Sequence, residues 1–278
     1  MTDSPLNDGA RPREPMFFVP VVVVALVAAL LAIHAVLTQT GAATQDAVVR
    51  ELAFLPGRLT LAIWPDRLGE LLARVNTDPS ALQQAAALRH YKALEGGAKL
   101  WTLFSYALLH GSWAHVGVNS IWLIAFGPPV ARRFGSLRFL AFFALTAAAG
   151  ALAHWASNPM DFSPLIGASA AGSGLMAAAA RFIFEPGAPL GGPRSLSLSA
   201  IEADEERPAP PLRELLGQRR AVIFIVIWMA TNFLFGAGAQ ALGASDVPVA
   251  WIAHVGGFVA GLLAFPLFDR APQRGHGR

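Results

Sequence analysis

The sequence predicts an all-α membrane protein: a bundle of six transmembrane helices, with interfacial helices in the first outer loop. Three observations lead there. Of the 278 residues, 54% are hydrophobic and only 14% are charged, whereas soluble domains carry about 25% charged residues. Apolar stretches long enough to cross a bilayer, which takes roughly 20 residues, recur six times. The arginines of the short connections all fall on one side of those stretches, the pattern that marks a cytoplasmic face.

A polar tail, residues 1–15, precedes the first span, "MFFVPVVVVALVAALLAIHAVLT" (16–38). That run exceeds the roughly 7–15-residue apolar region of a cleaved signal and reads as a retained helix. Five more spans lie near 103–127, 138–156, 164–184, 220–237 and 247–268, so the membrane domain covers 16–270 and a short tail, 271–278, follows. Arg11 and Arg13 precede the first span, and "ARRFGSLR" (131–138) follows the second. Arg181, Arg194, Arg207, Arg213 and Arg219 follow the fourth, and Arg270, Arg274 and Arg278 follow the sixth. The connections "ASNPMDFSP" (156–164) and "GAGAQALGASDVP" (236–248) hold no Lys or Arg. Both termini are therefore expected in the cytoplasm.

The first outer loop, 40–100, contains "VVRELAFLPGRLTLAIW" (48–64), apolar but broken by Pro56, Gly57 and charges. It reads as interfacial helices with Trp64 and Trp101 at the headgroup level, a seventh span being the alternative. The 185–219 segment is rich in Pro, Gly and Ser and carries the acidic patch "EADEER" (202–207). It reads as a flexible cytoplasmic connection, with regulatory docking as the alternative. The net charge of +3 is scattered over short connections, unlike the single basic face of a nucleic-acid binder. The absence of cysteine excludes disulfides and thiolate metal sites.

Polar side chains inside spans are costly, usually face the bundle interior and mark function. Here they fall in "HGSWAHVGVN" (110–119), "GASAAGSGLM" (167–176) and "WIAHVGGFVAG" (251–261), with His154 and Asn232 isolated. The last two read as structural. The fourth and sixth spans both enter from the outer face, which puts Ser169 and His254 at a similar depth, roughly 7–11 Å below the surface at the helical rise. Gly257 and Gly261 give the sixth span a small-residue face on the side of His254, and Gly167, Ala170, Ala171 and Gly174 do the same for the fourth. Such faces let two helix backbones approach closely. A serine hydroxyl becomes a nucleophile when a neighbouring base takes its proton, and a desolvated, neutral imidazole can do so. No Asp or Glu lies in any span, so the expected arrangement is a dyad. The developing oxyanion needs donors: the Ser169 backbone N–H, with His115 and Asn119, four apart on one helical face.

These segments resemble the rhomboid family of intramembrane serine proteases. "GASAAGSGLM" is similar to its GxSG-type nucleophile motif, "AHVGGFVAG" (253–261) to its AHxxGxxxG motif, and "HGSWAHVGVN" to its H-x4-H-x3-N pattern on the second span. The resemblance covers about 95–270 and implies the six-span core of bacterial members in an inner membrane. It further implies Ser169 as nucleophile, His254 as general base, His115 and Asn119 as oxyanion donors, and His110 as a supporting polar residue. The implied activity is cleavage of transmembrane helices of other membrane proteins within the lipid bilayer, with no cofactor and no metal. The chain departs from the family in three places: Ala170 where glycine usually follows the serine, Thr102 in a frequent Trp-Arg pair, and Ser173 where some members carry an aromatic ring. The rival functional reading is a non-catalytic rhomboid-like protein that binds client helices. A transporter would need an intramembrane charged residue, and a metal site at His110, His115 and His154 would lack a carboxylate.

Overall fold

The computed structural model describes residues 19–69, 97–184, 209–234 and 250–269. The two tails (1–15 and 271–278), most of the 185–219 connection with its acidic patch, and residues 70–96 of the outer loop lie outside the described residues. What is described is helical, with an isolated antiparallel bridge between Phe54 and Leu165. Helices α1 (Val21–Thr38), α2 (Ala42–Leu52), α3 (Pro56–Ile63) and the short α4 (Thr102–Ser105) are followed by α5 (Trp113–Phe134) and α6 (Ser136–Ser157). Then come α7 (Ser169–Ala180), α8 (Leu212–Gly217), α9 (Arg219–Phe233) and α10 (Trp251–Phe268). Among the described residues, α1, α6 and α10 are long and apolar enough to cross a membrane. The chain is an integral membrane protein.

Two helix starts differ from the sequence expectation. The second span was expected to open near residue 103, but α5 begins at Trp113, where the Ser112 hydroxyl accepts the His115 N–H at 3.1 Å. That cap satisfies one of the donors a helix start leaves free. His110 consequently sits in the loop ahead of α5 rather than on the span. The fourth helix was expected over 164–184, yet α7 starts at Ser169 and has 12 residues, about 18 Å of rise. Gly167, at φ +115°, ends the non-helical approach to it. Buried irregular backbone needs hydrogen-bond partners supplied by its neighbours. Here Leu165 exchanges two bonds with Phe54, and the Gly167 N–H donates to the Tyr106 carbonyl at 3.0 Å.

The described part of the segment between α1 and α5 covers this approach to α7. Helix α3 is largely buried; the Gly57 N–H donates to the Asp161 carbonyl at 2.7 Å, and Trp155 Nε1 donates to Thr60 Oγ1 at 2.8 Å. Thr60 Oγ1 in turn donates to the Pro159 carbonyl. At the end of α2, Glu51 pairs with Lys99, while Trp101 Nε1 donates to the Glu51 carbonyl at 2.9 Å. Thr102 is buried and donates to the Lys99 carbonyl at 2.7 Å. The connection leading to Ser169 is thus held by α3 and by the stretch after α2.

Helix α10 packs on α6 and α7 at backbone range. A side chain at Gly257 would collide with the Ala170 main chain, and one at Gly261 with that of Gly174. At the far end of the bundle, Arg133 of α5 holds Asp269, beyond α10, by two bonds of 2.7 and 2.9 Å, and its guanidinium lies 4.8 Å from the Phe182 ring. Arg181 donates to the Leu262 and Pro210 carbonyls at 3.0 and 2.8 Å. Arg133→Ala removes the bidentate partner of a buried carboxylate and is expected to destabilise the fold by about 3 kcal/mol. Thermal unfolding in detergent measures it, and an unchanged midpoint would count against the ion pair as a tie between α5 and α10.

Candidate active site

Ser169 is the first residue of α7, and the residues that follow it, Ala170, Ala171 and Gly172, are all small. His254 lies in the first turn of α10. Because Gly257 and Gly261 bring α10 against α7, the two side chains meet: Ser169 Oγ lies 2.7 Å from His254 Nε2. Both residues are partly exposed. On its other edge, His254 Nδ1 lies 2.6 Å from Asn232 Oδ1 of α9.

Asn119 and His115 come from the first turns of α5 and face the residue two before Ser169. A Cβ placed on Gly167 would lie 2.6 Å from His115 Nε2 and 3.6 Å from Asn119 Nδ2. Gly167 is therefore required twice, by its positive φ and by this close approach. The Gly111 N–H points at His115 Nδ1 at 3.5 Å. A ring nitrogen that accepts carries no proton, so the neutral ring has its N–H at Nε2, toward the site. Asn119 Nδ2 is buried and has no hydrogen-bond partner among the described residues, and a buried donor left unsatisfied is costly. Two donors thus converge beside the start of α7, whose own free N–H groups and dipole favour negative charge. His110 is buried, packs edge-on to His115 with ring centres 5.0 Å apart, and accepts the Ala168 N–H at Nε2 over 3.4 Å.

Every candidate residue read from the sequence lies in this region: Ser169, His254, His115, Asn119, His110 and Gly167 around the pocket, Gly257 and Gly261 along the seam below it. His154 is not among them; its Nε2 faces Asp161 at 3.6 Å in the loop after α6. Burial works against the Asp161 carboxylate, but bonds from His154 and Ser163 prevail and hold it below the usual carboxylate range. The residue the sequence reading missed is Asn232. The signal was there, an amide in an apolar span, but nothing in the spacing tied it to a residue 22 positions away.

The fold and the pocket define a helical integral membrane protein with a serine–histidine pair seated between two closely packed helices. The rhomboid domain model matches residues 97–270, and the chain belongs to the rhomboid family. A search among curated proteins finds no match.

Proposed function

We propose that this protein is an intramembrane serine endopeptidase that cleaves transmembrane segments of other membrane proteins. The observation that carries the reading is the 2.7 Å contact between Ser169 Oγ and His254 Nε2, hydrogen-bond range for a nucleophile and its base. Ser169 attacks a backbone carbonyl of the substrate while His254 Nε2 takes the hydroxyl proton. The tetrahedral oxyanion is held by the Ser169 N–H, His115 Nε2–H and Asn119 Nδ2–H. His254 then protonates the leaving amine, and water from the outer side hydrolyses the acyl-enzyme. A substrate helix must first unwind, since its own hydrogen bonds shield its carbonyls, so helix-weakening small residues near the cut favour cleavage.

In this reading α1, α5, α6, α7, α9 and α10 are the six spans of a membrane domain covering 16–270. Both termini are cytoplasmic, the pocket opens toward the outer face, and the outer-loop helices lie at the interface. Composition rich in Ala, Gly, Arg and Pro is compatible with a GC-rich bacterium, and the inner membrane is the location that the family resemblance implies.

The test is purified protein in liposomes with a single-span model substrate. Product from wild type and none from Ser169→Ala supports the reading; equal product from both overturns it. Stable capture of the substrate without product would instead favour the non-catalytic helix-binding reading. Losing one oxyanion donor in Asn119→Ala is expected to lower kcat about a hundredfold with little change in KM. Steady-state kinetics measures it, and an unchanged kcat would remove Asn119 from the oxyanion site.

A further inference from the structure

The pocket contains a contact that a two-residue mechanism does not use. Asn232 of α9 places Oδ1 2.6 Å from His254 Nδ1 and its Nδ2 3.2 Å from the Trp251 carbonyl. The second bond decides the orientation of the amide. A carbonyl only accepts, so the nitrogen must face Trp251 and the oxygen must face the imidazole. An amide oxygen also only accepts, so His254 must carry its proton on Nδ1. That leaves the Nε2 lone pair aimed at Ser169 Oγ, the protonation state a general base requires. No carboxylate is needed for this, because selecting a tautomer takes an acceptor rather than a charge.

We infer that Asn232 is a positioning residue for His254, fixing the imidazole's tautomer and orientation through Nδ1. The inference deepens the protease reading and rests on it for its kinetic consequence, though not for the tautomer itself. Two ring contacts support the same seating of α9 on α10: Trp228 stacks on Phe258 with centres 4.2 Å apart, and Phe233 meets Trp251 edge-on at 5.8 Å. Phe224 also meets the Phe126 and Phe184 rings, while Ile223, Val226 and Ile227 are exposed and Ala221 is buried. How α9 sits on α10 therefore determines whether His254 has its partner.

The experiment compares the full chain with Asn232→Leu and Asn232→Asp. Leucine removes acceptor and donor at similar size; aspartate keeps an acceptor toward Nδ1 but cannot donate to the Trp251 carbonyl. Loss of an outer partner that orients a metal-bound histidine costs about 10- to 100-fold, and a loss of that order is expected for His254. Asn232→Leu is expected to lose that much in kcat with KM little changed, and Asn232→Asp to recover most of it. Equal losses in both variants would mean that the bond to Trp251 matters and the one to His254 does not, overturning the inference. So would full activity in Asn232→Leu. Nitrogen-15 NMR of histidine-labelled wild type reads the tautomer without any substrate. A protonated Nδ1 on His254 is expected, and a protonated Nε2 overturns the inference even if Asn232→Leu fails to fold. A wild type that cleaves nothing but shows protonated Nδ1 sinks the protease reading and leaves the positioning role standing.

Discussion

Ser169→Ala and His254→Ala are each expected to lower the cleavage rate by about a millionfold, and the double variant by no more than either alone. The non-additivity follows from the shared proton. With Ser169 gone, His254 has no hydroxyl to deprotonate; with His254 gone, the hydroxyl keeps its proton and is a weak nucleophile at neutral pH. The fold should survive both changes. Ser169 is only partly buried, and the bond that Ser173 Oγ donates within α7 goes to its main-chain carbonyl, 2.8 Å away, which alanine retains. Residual cleavage still about a thousandfold above the uncatalysed rate, because the oxyanion donors remain, with a wild-type unfolding midpoint, is the expected pair of results. Additive losses in the double variant would mean that the two side chains act in separate steps rather than as one unit.

How much of this was legible in the sequence depends on which physical signal each feature leaves. Apolar stretches leave a strong one, and α1, α6 and α10 coincide closely with runs visible by eye. The approach of Ser169 to His254 was also readable, because similar depth and glycine-lined faces on two spans constrain both directions at once. Helix starts were harder. Hydropathy treats Leu108 and Leu109 as part of a span, whereas the chain turns there and waits for the Ser112 cap. Likewise Leu165 is apolar because it is covered by Phe54 and the stretch after α2, not because it belongs to a helix. That cover is built from Phe54, Gly57 and Thr60, more than a hundred residues upstream or nearly so, and one-dimensional patterning carries no trace of such pairings. Asn232 fell through the same gap. The spans hold no carboxylate that would mark a third partner, yet an amide oxygen, as an acceptor, can also orient an imidazole. The residues whose roles were read from local motifs are found together; those whose roles arise from tertiary neighbours were not.

The seam between α7 and α10 yields the other large effect. Gly257→Val is expected to cost about 3 kcal/mol of stability and about a hundredfold in rate. A Cβ at 257 meets the carbonyl carbon and oxygen of Ala170, and main-chain atoms cannot rotate aside as a flexible side chain would. The only relief is for α10 to move away from α7. His254 is three residues before Gly257, on the neighbouring part of the same helical face, so it moves with the seam and its 2.7 Å contact with Ser169 opens. A misplacement of about 1 Å at reacting groups is enough for a loss of that size. Gly172→Ala is the matched control: it lies in the same α7, but a Cβ there meets nothing within 4 Å. Alanine at that helical position should leave cleavage intact and hold or slightly raise the unfolding midpoint. If Gly257→Val melts and cleaves as wild type does, the two helices do not meet at backbone range, and the seam cannot be what brings the hydroxyl and imidazole together.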